Sequence, residues 1–171
     1  MIVPTVLGPF VENHPSPTST TDIVTDSYIY DLITDQNREY PQSPMSPMAD
    51  VRDIAKAVRV LFDIMISATN RVDPPAVSQH VLSLTSLPSK ENKRLLLCAK
   101  HVIWKEVVDL IKEKRPELAH RLPRDDATPH VQMSAPFDLS LTEKVLGLKE
   151  YIPWQDTILA SIDEGLKLEK V

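Results

Sequence analysis

The chain has 171 residues, of which 42% are hydrophobic and 25% charged, as expected for a single globular domain. Only 3 residues are glycine, so a G-x-G-x-x-G loop cannot be written, and the chain is not expected to hold a nucleotide-phosphate loop of its own. The formal net charge of −5 gives no overall positive field, which excludes general binding to nucleic acid.

Three further features of the sequence bear on the cellular location of the protein. No apolar stretch reaches about 18 residues, so no membrane span is predicted, and the first residues lack the basic start of a signal peptide. The one cysteine, Cys98, cannot form an internal disulfide and suits a reducing compartment, so the expected location is cytoplasmic. Because Cys98 ends an apolar run, we interpret it as a small core residue and not as a nucleophile.

The first part of the chain alternates apolar segments with proline-rich ones. Residues 2–7 form an apolar run that ends at Gly8, which predicts a buried strand followed by a turn. Ser27–Thr34 is predicted as a short helix. It lies between two predicted loops, at residues 12–26 and 41–47, which are rich in proline, serine and threonine.

A second helix is predicted from Val51 to about residue 62, because apolar residues recur there at spacings of three and four. Asp50 or Asp53 is expected to cap it. Residues 71–78 contain two adjacent prolines and are predicted as coil. Residues 95–98 form another short apolar run and are predicted as a second buried strand.

The clearest helix pattern is Trp104–Lys114, with an apolar stripe on one face and a proline just beyond its end. Residues 122–136 are predicted as a polar loop. A short helix, Ser140–Leu146, is expected to begin with Ser140 as its cap and to end at Gly147. A last amphipathic helix is predicted over residues 154–168.

The order of these elements predicts a mixed α/β fold. Its strands are too few for a complete sheet, and the first one stands at the start of the chain, where it needs neighbours that arrive later. The chain is therefore interpreted as part of a larger α/β protein.

Four segments, in order, resemble the extended short-chain dehydrogenases/reductases. Residues 4–10 (PTVLGPF) are similar to that family's P-T-x-x-x-G-P-F strand and turn, and residues 50–57 to its V-D-V-R-D-V-A-x-A helix start. Residues 94–118 resemble its R-x-L-L strand and the helix that ends in F-P-E-L, and residues 138–163 its closing D-x-S-K…L-G…P-x-E-x-T…D pattern. Leu141 departs from the family's lysine at that position.

This resemblance is to the dihydroflavonol-reductase and fungal aldehyde/ketone-reductase type, within the NAD-dependent epimerase/dehydratase superfamily. It implies a partial Rossmann-like fold in which residues 1–10 are a remnant Rossmann strand and residues 80–171 belong to the substrate-side lobe. It also implies NADP(H) as cofactor and a small-molecule carbonyl substrate. In the family, the segment matching Pro4, Thr5, Val6 and Leu7 passes beside the nicotinamide, so these four residues are assigned to cofactor binding.

Two tyrosines, Tyr28 and Tyr30, lie where the resemblance places a substrate-side helix. They are assigned to substrate binding, with half-buried packing residues as the alternative. The family's Gly-rich loop, its catalytic Ser or Thr and its Tyr-x-x-x-Lys all precede the strand at which this chain starts. None of the four tyrosines has a lysine four residues later, so no catalytic residue is assigned.

Two classes of function follow from this pattern. The first is a fragment of an NAD(P)H-dependent oxidoreductase that is inactive alone. The second is a non-catalytic binding or interaction module, or half of a split reductase whose N-terminal half is encoded separately. Neither nucleic acid nor membrane is an expected partner.

Residues 58–79 interrupt the family pattern, since His80-Val81-Leu82-Ser83-Leu84 matches the continuation of the helix start after Ala57. The codons of Val58-Arg59 can contain a 5′ splice site, those of Thr69-Asn70 a branch point, and the codon of Gln79 a 3′ splice site. These 22 residues, 66 nucleotides at three per residue, are interpreted as a retained intron. The alternative is a genuine extension of the helix, because Val58, Leu61, Phe62 and Met65 continue an amphipathic stripe. Periodicity does not decide between the two, since 22 residues at about 100° each return the helix face to within about 40°.

Other kinds of site have little support. The five histidines show no metal-binding spacing, and one cysteine cannot complete a zinc site, so no metal is expected. Asp125 and Asp126 near His130 would suit acid–base hydrolysis, but acids in proline-rich loops are usually only solvated. No serine stands in a G-x-S-x-G sequence, so acyl transfer is not predicted.

Overall fold

A computed structural model describes residues 1–2, 4–10, 17, 25–42, 47–70, 94–130 and 136–169. The described part is a mixed α/β structure, as the sequence predicted. Its elements in chain order are β1 (Thr5–Leu7), α1 (Ser27–Thr34), β2 (Met48–Asp50), α2 (Val51–Asn70), α3 (Trp104–Lys114), a 3₁₀ helix (Pro116–Arg121), α4 (Ser140–Leu146) and α5 (Trp154–Leu168). None of these helices combines the length and apolarity that crossing a membrane requires.

The two described strands form a parallel pair in which Thr5, Val6 and Leu7 lie opposite Met48, Ala49 and Asp50, respectively. All three residues of β2 are fully buried. The sequence did not predict β2, because a three-residue strand that is buried on both faces has no alternation to reveal it. The first strand also begins later than predicted, at Thr5. Ile2, the predicted start, is 44% exposed.

The prediction of a strand over residues 95–98 was wrong. In the described structure this segment makes only isolated bridges, one joining Leu96 to Ile2 in parallel and one joining Lys100 to Met48 in antiparallel orientation. Leu95, Leu97 and Cys98 are nevertheless buried. The apolar run therefore marks a core segment correctly, and Cys98 is a core residue as predicted.

The main core is built by α1, α3 and α5 around the parallel pair. The stripe predicted on α3 is confirmed, because Trp104, Val107 and Ile111 are all at most 1% exposed. Ile158 and Ile162 of α5 are also fully buried in the same cluster. The spacing of apolar residues in the sequence thus predicted which faces of α3 and α5 are buried.

A second core cluster lies under α2. Ala57 and Ile64 pack there with residues of the 95–97 segment and of α4. The helix runs to Asn70, beyond the predicted end near residue 62, while Phe62 is 61% exposed. The suspected insert is thus helical over residues 58–70, and residues 71–79 lie outside the described part.

The ends of α4 confirm one predicted cap and correct another. Gly147 follows the helix with a φ of +66°, the left-handed conformation in which glycine is favoured. Ser140 is not the N-cap, which is Leu139. The carboxylate of Asp138 instead accepts a hydrogen bond of 2.9 Å from the backbone N–H of Ser140. An Asx-type turn therefore starts this helix.

Candidate functional site

The carboxyl ends of β1 and β2 lie side by side, since Leu7 is the register partner of Asp50. The turn at Gly8 follows the first strand, and α2 follows the second. In open α/β sheets, ligands bind in the crevice outside the carboxyl ends of the strands. We therefore take this edge as the candidate functional site.

Gly8 is required at this edge for two reasons. Its φ of +129° is rarely adopted by residues with a side chain, and an added Cβ would lie 3.2 Å from the Oδ2 of Asp50. Its backbone N–H donates to the Oγ of Ser161, at 2.9 Å, and to the Oδ1 of Asp26, at 3.3 Å. The turn after β1 is thus joined to Asp26, which directly precedes α1, and to Ser161 in the middle of α5.

The Asp50 carboxylate is the centre of the network. It is fully buried and accepts hydrogen bonds of 2.8 Å from the Arg52 guanidinium, from the Arg52 backbone N–H and from the Thr157 hydroxyl. Burial opposes its ionisation, but these hydrogen bonds outweigh that effect and lower the pKa of Asp50 below its ordinary value. Asp50 is therefore an anion that fixes the start of α2, as predicted, and also holds α5.

A second carboxyl group, Asp26, has the opposite electrostatic character. Burial raises its pKa, and hydrogen bonds from Ser161 and from the Gly8 backbone offset this only in part. The Oγ of Ser161 also lies 3.1 Å from the Thr157 carbonyl oxygen, which is the alternative acceptor for its one proton. The edge therefore contains two neighbouring buried carboxyl groups, of which Asp50 is ion-paired with Arg52.

The four residues assigned to cofactor binding form β1 and the position before it. Pro4, Thr5 and Val6 are partly exposed, whereas Leu7 is 1% exposed. The side chain of Leu7 belongs to the main core, so only its backbone is available to a ligand. The four consecutive residues therefore lie along β1 and the position before it, and lead to the turn at Gly8.

The two tyrosines assigned to substrate binding are not brought together. They are two positions apart on α1, which places their side chains on opposite sides of the helix. Tyr28 is 47% exposed, whereas Tyr30 is buried with its ring against Gly165 of α5. Burial, together with the hydrogen bond that its hydroxyl donates to Glu169, raises the pKa of Tyr30 to about 12.

Sequence reasoning missed Asp26, Thr157 and Ser161 as parts of this edge. Their positions are far apart along the chain, and only the closeness of α1 and α5 to Gly8 unites them. One signal was available for Thr157, which falls in the closing segment that resembles the reductase family. For Ser161, the spacing of four residues from Thr157 on a helix was the only indication of a shared face.

The remaining candidate groups have ordinary structural surroundings. Burial raises the pKa of the Cys98 thiol, which disfavours the thiolate that a nucleophile requires. Asp125 is exposed and forms an ion pair of 2.8 Å with Lys112, and Asp126 is exposed beside Arg124. The exposure of these two acids therefore favours the interpretation that they are only solvated.

No family model matches the chain, and no curated protein matches it. Among solved structures, it is similar to the yeast methylglyoxal/isovaleraldehyde reductase Gre2 complexed with NADPH, with a TM-score of 0.64 and 20% identity over 97% of this chain. It is also similar to Gre2 from Candida albicans, with a TM-score of 0.59 and 20% identity over 96% of this chain. The chain spans 42% of the length of each of these two proteins. This likeness establishes the fold, which matches part of the fold of these two proteins.

Proposed function

We propose that the chain is the substrate-side part of an NADP(H)-dependent reductase of aldehydes or ketones, of the extended short-chain type. The observation that carries this proposal is the similarity of 97% of the chain to a reductase solved with NADPH, of which it spans 42%. The rest of the fold, whether an N-terminal region or a separately encoded half, would hold the cofactor phosphates and the catalytic Tyr and Lys.

The geometry of β1 supports this division. Among the described strands, β1 has only β2 as a neighbour, on one edge. Parallel strands are usually covered on both sides and paired within a larger sheet. In the proposal, a strand of the cofactor-binding part pairs with the other edge of β1, and Pro4, Thr5, Val6 and Leu7 then lie along the nicotinamide end.

The network around Asp50 supports the same orientation of the cofactor. The backbone N–H of Gly8 already donates to Ser161 and Asp26 and is not offered to a pyrophosphate, whereas a ring can lie against backbone and apolar side chains. When bound, NADP(H) would supply the hydride for carbonyl reduction. The residues of this chain would shape the crevice, with Gly8 held by Ser161 at the end of β1.

On the substrate side, Tyr28 is available at the surface of α1, and we retain it as a substrate-side residue. Tyr30 would act indirectly, because its contacts with Gly165 and Glu169 fix α1 against α5. Neither tyrosine is followed by a lysine at the fourth position, so neither is proposed as the proton donor. The chain alone is therefore proposed to be inactive.

The test begins with the genomic reading frame upstream of Met1. The polypeptide extended by that frame is assayed for isovaleraldehyde-dependent oxidation of NADPH, beside the 171-residue chain. We expect turnover from the extended polypeptide and none from the chain alone. Turnover by the chain alone would contradict the proposal, and an inactive extended polypeptide that folds would favour the non-catalytic module.

A substitution in the extended polypeptide tests the position of β1. Thr5→Trp should abolish turnover, because the larger side chain would occupy the nicotinamide end of the crevice. Thr128→Trp is the matched control, since Thr128 is exposed in the polar loop after the 3₁₀ helix. Unchanged turnover in Thr5→Trp would remove Pro4, Thr5, Val6 and Leu7 from the site.

A further inference from the structure

A cavity of about 440 Å³ lies beside α1, on the face that carries Tyr28 and Asp31. Its volume falls within the range typical of small-molecule sites. Residues of one face of α1 form one side, and the loop that follows the helix folds back to form the other. The lining residues are Tyr28, Asp31, Asp35, Asn37, Glu39, Tyr40, Pro41 and Gln42.

The loop wall of the cavity is held by specific hydrogen bonds. The Asp35 carboxylate accepts the backbone N–H of Glu39 at 2.9 Å. Arg38, with a φ of +54°, donates from its Nε to the Leu122 carbonyl oxygen at 2.7 Å. The backbone N–H of Arg124 donates to the Arg38 carbonyl oxygen at 2.9 Å. The loop is therefore tied to the segment after the 3₁₀ helix.

The charges that line the cavity are all negative among the described residues. Asp31, Asp35 and Glu39 contribute carboxylates, and no lining residue is basic. Glu39 forms an ion pair with Arg124, and Asp35 is occupied by backbone N–H groups of the loop. The side chain of Asp31 is exposed, and its carboxylate has no hydrogen bond or ion pair within the described part of the chain. Partial desolvation raises its pKa. Its carboxylate is the group that a ligand would neutralise.

Two aromatic rings line the same space. Tyr40 is half-buried against the main core, which fixes its ring, and Tyr28 is 47% exposed on α1. The faces of aromatic rings attract cations, most strongly where water is partly excluded. An anion would be repelled by the unpaired carboxylate of Asp31, and a neutral ligand would gain only from apolar contact.

We infer that this cavity binds a small organic ammonium ion, with Asp31 as its counter-ion and the rings of Tyr28 and Tyr40 in contact with its alkyl groups. The inference rests on the juxtaposition of an unpaired carboxylate and two aromatic rings in a cavity of ligand size. It does not depend on the proposed reductase function, since the lining residues all belong to this chain.

The experiment is a calorimetric titration of the full chain with choline at low salt. The comparison ligand is 3,3-dimethylbutan-1-ol, which has the shape of choline without its charge. We expect saturable binding of choline and an affinity for the neutral alcohol that is at least about tenfold weaker. Equal affinities for the two ligands, or no saturable binding of choline, would overturn the inference.

Variants then locate the site. Asp31→Asn should weaken choline binding by about tenfold, because it removes the counter-ion, while Asp126→Asn on an exposed loop should leave it unchanged. Tyr28→Phe keeps the ring and should retain the affinity, whereas Tyr28→Leu should weaken it several-fold. Circular dichroism confirms that each variant is folded. Equal loss in Asp31→Asn and Asp126→Asn would show attraction to the overall negative charge, and would exclude this cavity as the site.

Discussion

The hydroxyl of Thr157 donates a hydrogen bond of 2.8 Å to the buried carboxylate of Asp50, 107 residues earlier in the chain. This bond joins the last helix to the end of β2, at the edge where β1 also ends. Removing one partner of a buried hydrogen bond leaves the other unsatisfied, at a cost of about 1–3 kcal/mol.

Thr157→Val should therefore lower the free energy of unfolding by about 1–3 kcal/mol, because valine has a similar shape and no hydroxyl. Thr157→Ser retains the donor and should lose less. Urea denaturation followed by circular dichroism measures both variants. If the valine variant is as stable as the serine variant, the bond does not stabilise this edge.

The two carboxyl groups at the edge should respond to pH in opposite directions. The pKa of Asp50 is lowered on folding, so its contribution to stability is complete above the ordinary value of 3.8 and is lost as pH falls through its folded pKa. The pKa of Asp26 is raised, so its contribution falls as pH rises from 3.8 through its folded pKa.

Asp50→Asn should thus be less stable than the natural chain at about pH 7, with a difference that shrinks in acid. Asp26→Asn should be at least as stable as the natural chain at about pH 7, and the two should converge below the ordinary aspartate pKa. Unfolding midpoints across the pH range test both. Parallel pH profiles for the two variants would contradict the assignment of opposite shifts.

The contact between Gly165 and the ring of Tyr30 leaves no space for a side chain on α5. Gly165→Ala should destabilise the chain by about 1–3 kcal/mol, although alanine favours helices, because the added methyl group overpacks the interface with α1. Adding Tyr30→Leu should recover part of the loss. If Gly165→Ala is stabilising, its helix propensity has prevailed and the interface is looser than described.

The origin of residues 58–79 is tested on transcripts. We predict that mature messages lack the 66 nucleotides that encode them, so that Ala57 is joined directly to His80. Sequencing of the mature messenger RNA decides between the two origins of this segment. Messages that all retain the segment would show a genuine helix extension, for which the buried side chain of Ile64 would then be the physical reason.

Local pattern was enough to predict most helices of this chain. Trp104–Lys114 and Ser27–Thr34 have the predicted bounds, because their apolar stripes coincide with the faces that the core buries. Strand β2 escaped prediction, because three buried residues have no period. At residues 95–98 a strand was predicted where none is described, because a buried core segment gives the same apolar signal as a strand.

The site was less accessible to prediction than the fold. The resemblance to reductases assigned Pro4, Thr5, Val6 and Leu7 to cofactor binding, which stays a prediction. The buried network at the same edge depends on contacts over long sequence separations. Tyr28 and Tyr30 were assigned together because both lie where the resemblance places a substrate-side helix, although their spacing of two places them on opposite sides of that helix. Helical geometry applied to that pair would have separated the surface residue from the packing residue.

The central claim is that this chain holds the substrate side of a reductase and that its cofactor phosphates bind elsewhere. Titration of NADPH into the 171-residue chain and into the polypeptide extended by the upstream frame tests it most directly. We predict saturable binding by the extended polypeptide and none by the chain alone at micromolar concentrations. Micromolar binding of NADPH by the chain alone would contradict the claim, because a complete phosphate site would then lie within these residues.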